Sequence, residues 1–137
     1  VAWEYSVPLF GKDRAGGHGP EAFGNQAFSV LRLKNGNTLI GTGNGHSVLE
    51  VTPDKEIVWE LHQNDLPNIT FAWITTLELL KNGNLVIGNC HAGSGQPLLV
   101  EIDRKSKEVV WTFDHFDTFG NSVSNSLLVD QAGKSMR

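Results

Sequence analysis

The residues best suited to chemistry lie in glycine-rich stretches between hydrophobic runs. The chain of 137 residues has five histidines and a single cysteine, and Cys90 and His91 are adjacent in the stretch VIGNCHAGSGQP. An imidazole can act as a general base, a nucleophile or a ligand donor. A thiol reacts as the thiolate, whereas a lone cysteine at the end of a strand is usually a small buried hydrophobe. We therefore favour His91 over Cys90 as the functional residue.

An internal repeat shows which residues the fold already explains. LKNGNTLIG at 33–41 returns as LKNGNLVIG at 80–88, with seven of nine residues identical. Each copy is followed by an alternating run, a polar turn and a further run, EIVWEL or EVVWTF. Alternating large apolar residues between Asn-Gly, Pro-Asp and Lys-Ser turns are typical of short strands joined as hairpins. Each unit is therefore predicted to hold four strands, and helix should be nearly absent.

A four-stranded unit of about 50 residues is typical of one blade of a β-propeller. We predict an all-β fold, a β-propeller with four-stranded antiparallel blades, of which this chain covers just under three. The predicted parts are a closing strand at 1–7, blades at 27–62 and 72–113, and an opening hairpin at 123–137. Propellers typically have roughly four to eight blades. We therefore expect the C-terminal part of a six- to eight-bladed ring, completed by blades of the same protein or by a second copy of the chain.

Two longer segments carry a family resemblance. VEIDRKSKEVVWTF at 100–113 and LEVTPDKEIVWEL at 49–61 resemble the repeats of pyrroloquinoline-quinone-like propellers. The wider pattern LKNGNxxIG…LxEIDxxxxxVVW is similar to arylsulfotransferase-like propellers and related bacterial proteins. The resemblance implies the propeller fold, a tryptophan segment that docks neighbouring blades, and a periplasmic or secreted location. It does not specify a function, because one architecture carries unrelated chemistries.

Strand order predicts which end of the sheets carries the chemistry. In a four-stranded meander, the first and third connections lie at one end and all other connections at the opposite end. The first and third connections here are Lys-Asn-Gly-Asn, TPDKE and DRKSKE, which are short, charged and typical of solvated hairpins. All five histidines fall in the other connections, which are longer and irregular. Since such loops tend to be functional, we expect the site at that end.

The candidate residues follow from this placement. His91 and His46 are the candidate catalytic residues, and the candidate ligand-binding residues are Trp73, His18, Arg14, Asn89, His115 and Asp117. Trp3, Trp59 and Trp111 recur in the fourth strand and are explained by packing between blades. Trp73 has no counterpart in the repeat, so it is predicted to stack on a sugar or aryl ring, with packing in the channel as the alternative. Phe-Gly-Asn, at 23–25 and 119–121, is predicted to be a repeated capping turn.

We expect neither a metal nor a quinone cofactor. No short ligand spacing such as His-x-x-x-His is present, and the adjacent cysteines of the quinone dehydrogenases are absent. A net charge of -4 with scattered basic residues offers no cationic stripe for nucleic acid. No apolar run approaches the roughly 20 residues of a membrane span.

The first functional prediction is the binding of a carbohydrate or aromatic small molecule. Three alternatives stay open: an arylsulfotransferase-like enzyme that uses a channel histidine, a sugar-active lyase or hydrolase, and a platform for protein interactions. Whether the protein is an enzyme is left undecided.

Overall fold

The computed structural model describes residues 2–121 and 123–129. The first sheet contains β1 (Ser29–Arg32), β2 (Thr38–Gly41), β3 (Val48–Val51) and β4 (Ile57–Leu61), and the second contains β5 (Trp73–Leu79), β6 (Leu85–Cys90), β7 (Leu99–Ile102) and β8 (Val109–Phe113). Neighbouring strands are antiparallel and follow chain order. The one described helix, α1 (Phe116–Phe119), has four residues. The prediction of an all-β fold with four-stranded antiparallel units and almost no helix is confirmed.

Each sheet begins with the same hairpin turn because the Lys-Asn-Gly-Asn sequence is suited to it. In both copies the side chain of the first asparagine accepts a hydrogen bond from the backbone N–H two residues later, at 3.0 Å. The glycines have positive φ, 89° at Gly36 and 92° at Gly83, which other residues rarely adopt. The register of β5 against β6 places the second Lys-Asn-Gly-Asn turn at the C-terminal end of β5. At the other end of β5, Trp73 pairs with Cys90.

The main core lies between the two sheets. Its fully buried members are Leu39, Val48 and Leu61 from the first sheet and Ile74, Leu85, Ile87, Val100 and Ile102 from the second. The other face of the first sheet, with Ile40, Leu49 and Val51, packs against Trp3, Tyr5 and Val7. Because both faces are covered, every residue of β2 and β3 is buried.

Residues 2–7 and β4 dock in the same way on successive sheets. The Trp3 indole N–H donates to the carbonyl of Pro53 at 2.9 Å, in the turn between β3 and β4. The Trp59 indole N–H donates to the carbonyl of Arg104 at 3.0 Å, in the corresponding turn of the second sheet. The repeated tryptophan therefore contacts the sheet that follows its own strand.

The predicted terminal strands stay predictions. Residues 2–7 and 123–129 have no strand in the described part of the chain, and Val1 and residues 130–137 lie outside it. A strand is defined by ladder hydrogen bonds to a partner, and neither four-stranded sheet supplies one for these segments.

A buried ion pair also joins the sheets. Glu50, which is 7% exposed, contacts the Arg104 guanidinium and accepts a hydrogen bond from the Asn37 amide at 2.7 Å. Burial by itself raises the pKa of Glu50, but the Asn37 hydrogen bond and the Arg104 charge outweigh it and hold the pKa below its ordinary value. The carboxylate therefore stays charged at neutral pH and fixes the Arg104 turn against the first sheet.

We predict that Trp59→Phe lowers the free energy of unfolding by about 1–2 kcal/mol, because it leaves the Arg104 carbonyl without its donor. Trp111→Phe is the matched control. Its indole is 46% exposed and donates no hydrogen bond within the described residues, so the change should stay within about 0.5 kcal/mol. Urea denaturation checks both values, and equal losses would contradict the docking role of Trp59.

Candidate functional site

Three of the predicted site residues meet at the end of the second sheet opposite its Lys-Asn-Gly-Asn turn. The ring of His18 lies 4.6 Å from the Trp73 ring, nearly perpendicular to it, and 5.0 Å from the His91 ring. The Trp73 and His91 rings are 6.5 Å apart. Phe28 contacts Trp73 edge-on at 5.9 Å. We call His18, Phe28, Trp73 and His91 the aromatic cluster.

Trp73 is positioned by a backbone contact between the sheets. It is the first residue of β5, and the next residue, Ile74, donates its backbone N–H to the carbonyl of Gly43 at 3.1 Å. Gly43 has φ 55°, and a Cβ there would lie 3.4 Å from the Trp73 indole. The glycine therefore allows a loop of the first sheet to pass directly against the indole.

His91 is held in an unusual backbone conformation. Its φ is 62°, in the left-handed region that residues with a Cβ rarely occupy. Its backbone N–H donates to the Asn121 carbonyl at 3.1 Å, and the Asn121 side chain accepts from the Gly93 N–H at 3.0 Å. Asn121 was not among the predicted site residues, although the repeated Phe-Gly-Asn sequence marks it. Strained residues of this kind cluster at functional sites.

The surroundings of His91 favour the neutral imidazole. Burial lowers the pKa of His91, and the charge of a protonated His18 lowers it further. Its Nδ1 atom is buried and has no hydrogen-bond partner in the part of the chain that the structure describes. A neutral imidazole has one N–H donor and one acceptor nitrogen, so His91 can offer a hydrogen bond of either kind.

Cys90 is a buried thiol rather than a reactive one. It is 2% exposed, and its Sγ donates to the Asn121 carbonyl at 2.6 Å. Burial raises the pKa of Cys90 more than the hydrogen bond from the His91 backbone lowers it. Since the thiolate is the nucleophile, these surroundings suppress its reactivity.

His46 and Asn89 lie behind the aromatic cluster, and their polar atoms are fully used by the backbone. The two ring nitrogens of His46 contact the carbonyls of Ala22 and Ala72. The Asn89 side chain accepts from the Ala72 N–H at 3.0 Å and donates to the carbonyls of Thr70 and Pro97. Their predicted catalytic and ligand-binding roles therefore lack a free polar atom. Both residues instead fix the segment that leads into Trp73.

The other predicted residues lie apart from the cluster. Arg14 donates to Asn25 Oδ1 at 2.8 Å and lines a separate cavity of about 270 Å³. His115 is exposed and packs on Phe113 with ring centroids 4.6 Å apart, and Asp117 is exposed in α1. The structure thus joins His18, Trp73 and His91 and separates them from these three side chains.

A larger cavity borders the cluster through Phe28. Its volume is about 610 Å³, and the residues that line it include Ser29, Thr75, Thr76, Ser124, Ser126 and Glu78. The Ser29 hydroxyl is buried and has no hydrogen-bond partner among the described residues. These lining residues were not predicted, because small hydroxyl residues in β1 and β5 do not differ from ordinary strand residues.

Two features are absent from residues 2–121 and 123–129. No group of three or more His, Cys, Asp or Glu side chains is placed to hold a metal ion. No helix there is long and apolar enough to cross a membrane.

Comparisons with known proteins give a fold neighbour and no function. No protein-family model matches the chain, and no curated protein matches it. The chain is similar to the crystal structure of a protein of unknown function from Bacteroides caccae, with 29% sequence identity and a TM-score of 0.60. The match covers 72% of this chain and 38% of that protein, so the matched region is less than half of the neighbour.

We predict that His46→Ala lowers the free energy of unfolding by about 2–4 kcal/mol, because it leaves a cavity in place of a buried ring and removes the one N–H that a neutral imidazole can donate to a carbonyl. His115→Ala serves as the control. It removes an exposed histidine from the same end of the sheets and should cost less than about 0.5 kcal/mol. Urea denaturation distinguishes the two, and a mild effect of His46→Ala would contradict its structural role.

We also predict that the His91 imidazole titrates below the ordinary histidine pKa of about 6.5. His18→Ala should raise this pKa without restoring the ordinary value, because burial, the larger cause, remains. An NMR titration of the ring protons measures both values. An unchanged pKa in the variant would mean that His18 exerts no electrostatic effect on His91.

The same shift predicts a pH dependence of stability. Because the unfolded chain binds the His91 proton at higher pH than the folded chain does, the folded state loses stability as pH falls below about 6.5. This loss should be smaller in the His18→Ala variant.

Proposed function

We propose that the two sheets are adjacent blades of a β-propeller and that the aromatic cluster binds a small uncharged ligand with a flat face. A carbohydrate or an aromatic compound fits this description. The cluster would then lie at the mouth of the central channel.

The propeller arrangement is supported by the repeated docking contact. Trp3 and Trp59 each donate to the carbonyl of a corresponding turn, at Pro53 and Arg104. Residues 2–7 therefore take the same place on the first sheet that β4 takes on the second. Successive units related by the same contact generate radially packed sheets, as in a propeller.

One observation carries the binding proposal: two imidazoles flank a half-buried indole that the repeat does not require. Trp73 offers a large apolar ring, and His91 offers an imidazole that can form a hydrogen bond beside it. Binding sites for small organic molecules typically combine an apolar surface with a few placed polar groups. A cavity next to Phe28, lined in part by serine and threonine residues, provides space for a polyol.

The absence of contacting charge favours an uncharged ligand. Among the described residues, no ion pair, hydrogen bond or cation–π contact joins a charged side chain to the cluster. The arylsulfotransferase-like alternative needs an imidazole nitrogen as nucleophile and a cation near the developing charge. The side-chain hydrogen bond of Arg14 goes to Asn25 and not to His91, which favours this alternative less.

The test is a binding screen with methyl glycosides and substituted phenols, followed by tryptophan fluorescence and isothermal titration calorimetry. We expect Trp73→Ala and His91→Ala each to weaken binding about tenfold or more, the equivalent of about 1.4 kcal/mol. Trp111→Ala and His115→Ala are matched controls of the same residue types and should bind as the wild type does.

Two outcomes would contradict the proposal. One is the lack of saturable binding by any probe of either class, and the other is unchanged binding in Trp73→Ala. Sulfate transfer from an aryl sulfate to a phenol, lost in His91→Ala, would favour the enzyme instead.

A further inference from the structure

A second cleft opens between the sheets, at the end opposite the aromatic cluster. It is lined by residues 33–35 at the first Lys-Asn-Gly-Asn turn, by residues 79–81 at the second, and by Arg104. Its volume is about 480 Å³. Sites for small organic molecules typically measure roughly 300–1,000 Å³, so the cleft has the size of such a site.

The apolar part of the lining continues the main core. Leu33 is a buried member of that core, and Leu79 packs against it while staying half-buried. Leu80, which is also half-buried, belongs to the same lining. Part of this leucine surface is therefore uncovered, and an apolar group placed there would remove it from water.

The charged part of the lining is entirely cationic. Lys34, Lys81 and Arg104 line the cleft, and none of its described lining residues is acidic. The Arg104 charge is balanced by Glu50. Lys34 and Lys81 are exposed and belong to no ion pair within residues 2–121 and 123–129. In a chain of net charge -4, two uncompensated ammonium groups thus lie at one apolar cleft, which attracts anions.

The two lysines occupy equivalent positions of the repeat. Leu33-Lys34 in the first unit corresponds to Leu80-Lys81 in the second. Each turn taken singly is typical of a solvated hairpin, but packing of the sheets brings both into one lining. Lysine has a long apolar stem, so its ammonium group can approach a bound anion while the stem covers the apolar surface.

We propose that this cleft binds a small amphipathic carboxylate. The hydrocarbon body lies on Leu33, Leu79 and Leu80. The carboxylate lies between Lys34 and Lys81 and accepts charge-assisted hydrogen bonds from their ammonium groups. Fatty acids of medium length and aryl carboxylates share this chemistry. The site is separate from the aromatic cluster and does not depend on the proposed propeller arrangement.

The lining favours a small molecule over a nucleic acid. A phosphate backbone is bound by several lysines and arginines that follow its path, and two uncompensated cations in one cleft are too few. The leucine surface would also contribute nothing to a phosphate, whereas it matches a hydrocarbon chain or ring.

The test is a titration of the ¹⁵N-labelled protein with octanoate, below the concentration at which octanoate forms micelles. We expect saturable movement of the backbone amide signals at 33–36 and 79–83, while the signals of Trp73 and His91 stay in place. Acetate keeps the charge without the chain, and 1-octanol keeps the chain without the charge. Each should bind at least about tenfold more weakly than octanoate.

The double variant Lys34→Gln/Lys81→Gln should weaken octanoate binding about tenfold or more, because it removes both ammonium groups. Lys55→Gln/Lys105→Gln is the matched control. It removes the same charge from exposed lysines in the third connections, at the same end of the sheets but outside the cleft lining, and should retain the wild-type affinity. Arg104 is kept in both variants because it also joins the sheets.

Three results would overturn the inference. The first is the lack of saturable octanoate binding, and the second is equal binding of octanoate and 1-octanol, which would follow from hydrophobicity alone. The third is an equal loss of affinity in the two double variants, which would follow from net charge alone. Lys34→Gln/Lys81→Gln should keep the wild-type affinity for any ligand of the aromatic cluster, which separates a failure here from a failure of the proposed function.

Discussion

Arg104 contacts the first sheet through two different groups, its guanidinium and its carbonyl. These contacts set the position of the second sheet relative to the first, on which the other contacts between the sheets depend. Its guanidinium is paired with the buried carboxylate of Glu50, and its carbonyl accepts from Trp59. These directional contacts lie at the edge of an apolar core that by itself has little directional preference. The core supplies much of the free energy of folding, while the polar contacts fix the angle and register between the sheets.

That register is what builds the aromatic cluster. His18 precedes the first sheet and Phe28 immediately precedes β1, whereas Trp73 and His91 belong to the second sheet or its loops. The cluster therefore exists only when the sheets are correctly placed. Its support is polar and buried: His46 and Asn89 hold the backbone before Trp73, and Asn121 holds the His91 loop. Side chains supported in this way hold their rings in a fixed geometry.

The sequence predicted what depends on local patterns. Eight strands in two antiparallel sheets follow from the alternation of apolar residues and from the repeated turns. Both patterns can be recognised within a few consecutive residues of the sequence. Strand order predicts that the loops with histidines lie at one end of the sheets. His18, Trp73 and His91 were predicted as site residues from that placement.

What depends on contacts between distant residues was not predictable in this way. The carbonyls that contact His46 belong to residues 24 and 26 positions away in the chain. The local sequence GNGH, which ends at His46, does not indicate them. Asn89 likewise has polar partners before β5 and after β6. The carbonyl acceptors of Trp3 and Trp59 lie 50 and 45 positions along the chain. A repeat indicates that such tryptophans pack, but only the three-dimensional arrangement shows which carbonyls Trp3 and Trp59 contact.

The buried position of Cys90 makes its thiol a reporter of local opening. It lies directly beside the strained His91 backbone and is covered by Asn121, the same residue that holds the His91 loop. Because Cys90 is 2% exposed, a reagent reaches its sulfur only after the structure around it opens. The rate at which the native protein is alkylated therefore reports how often Cys90 becomes exposed.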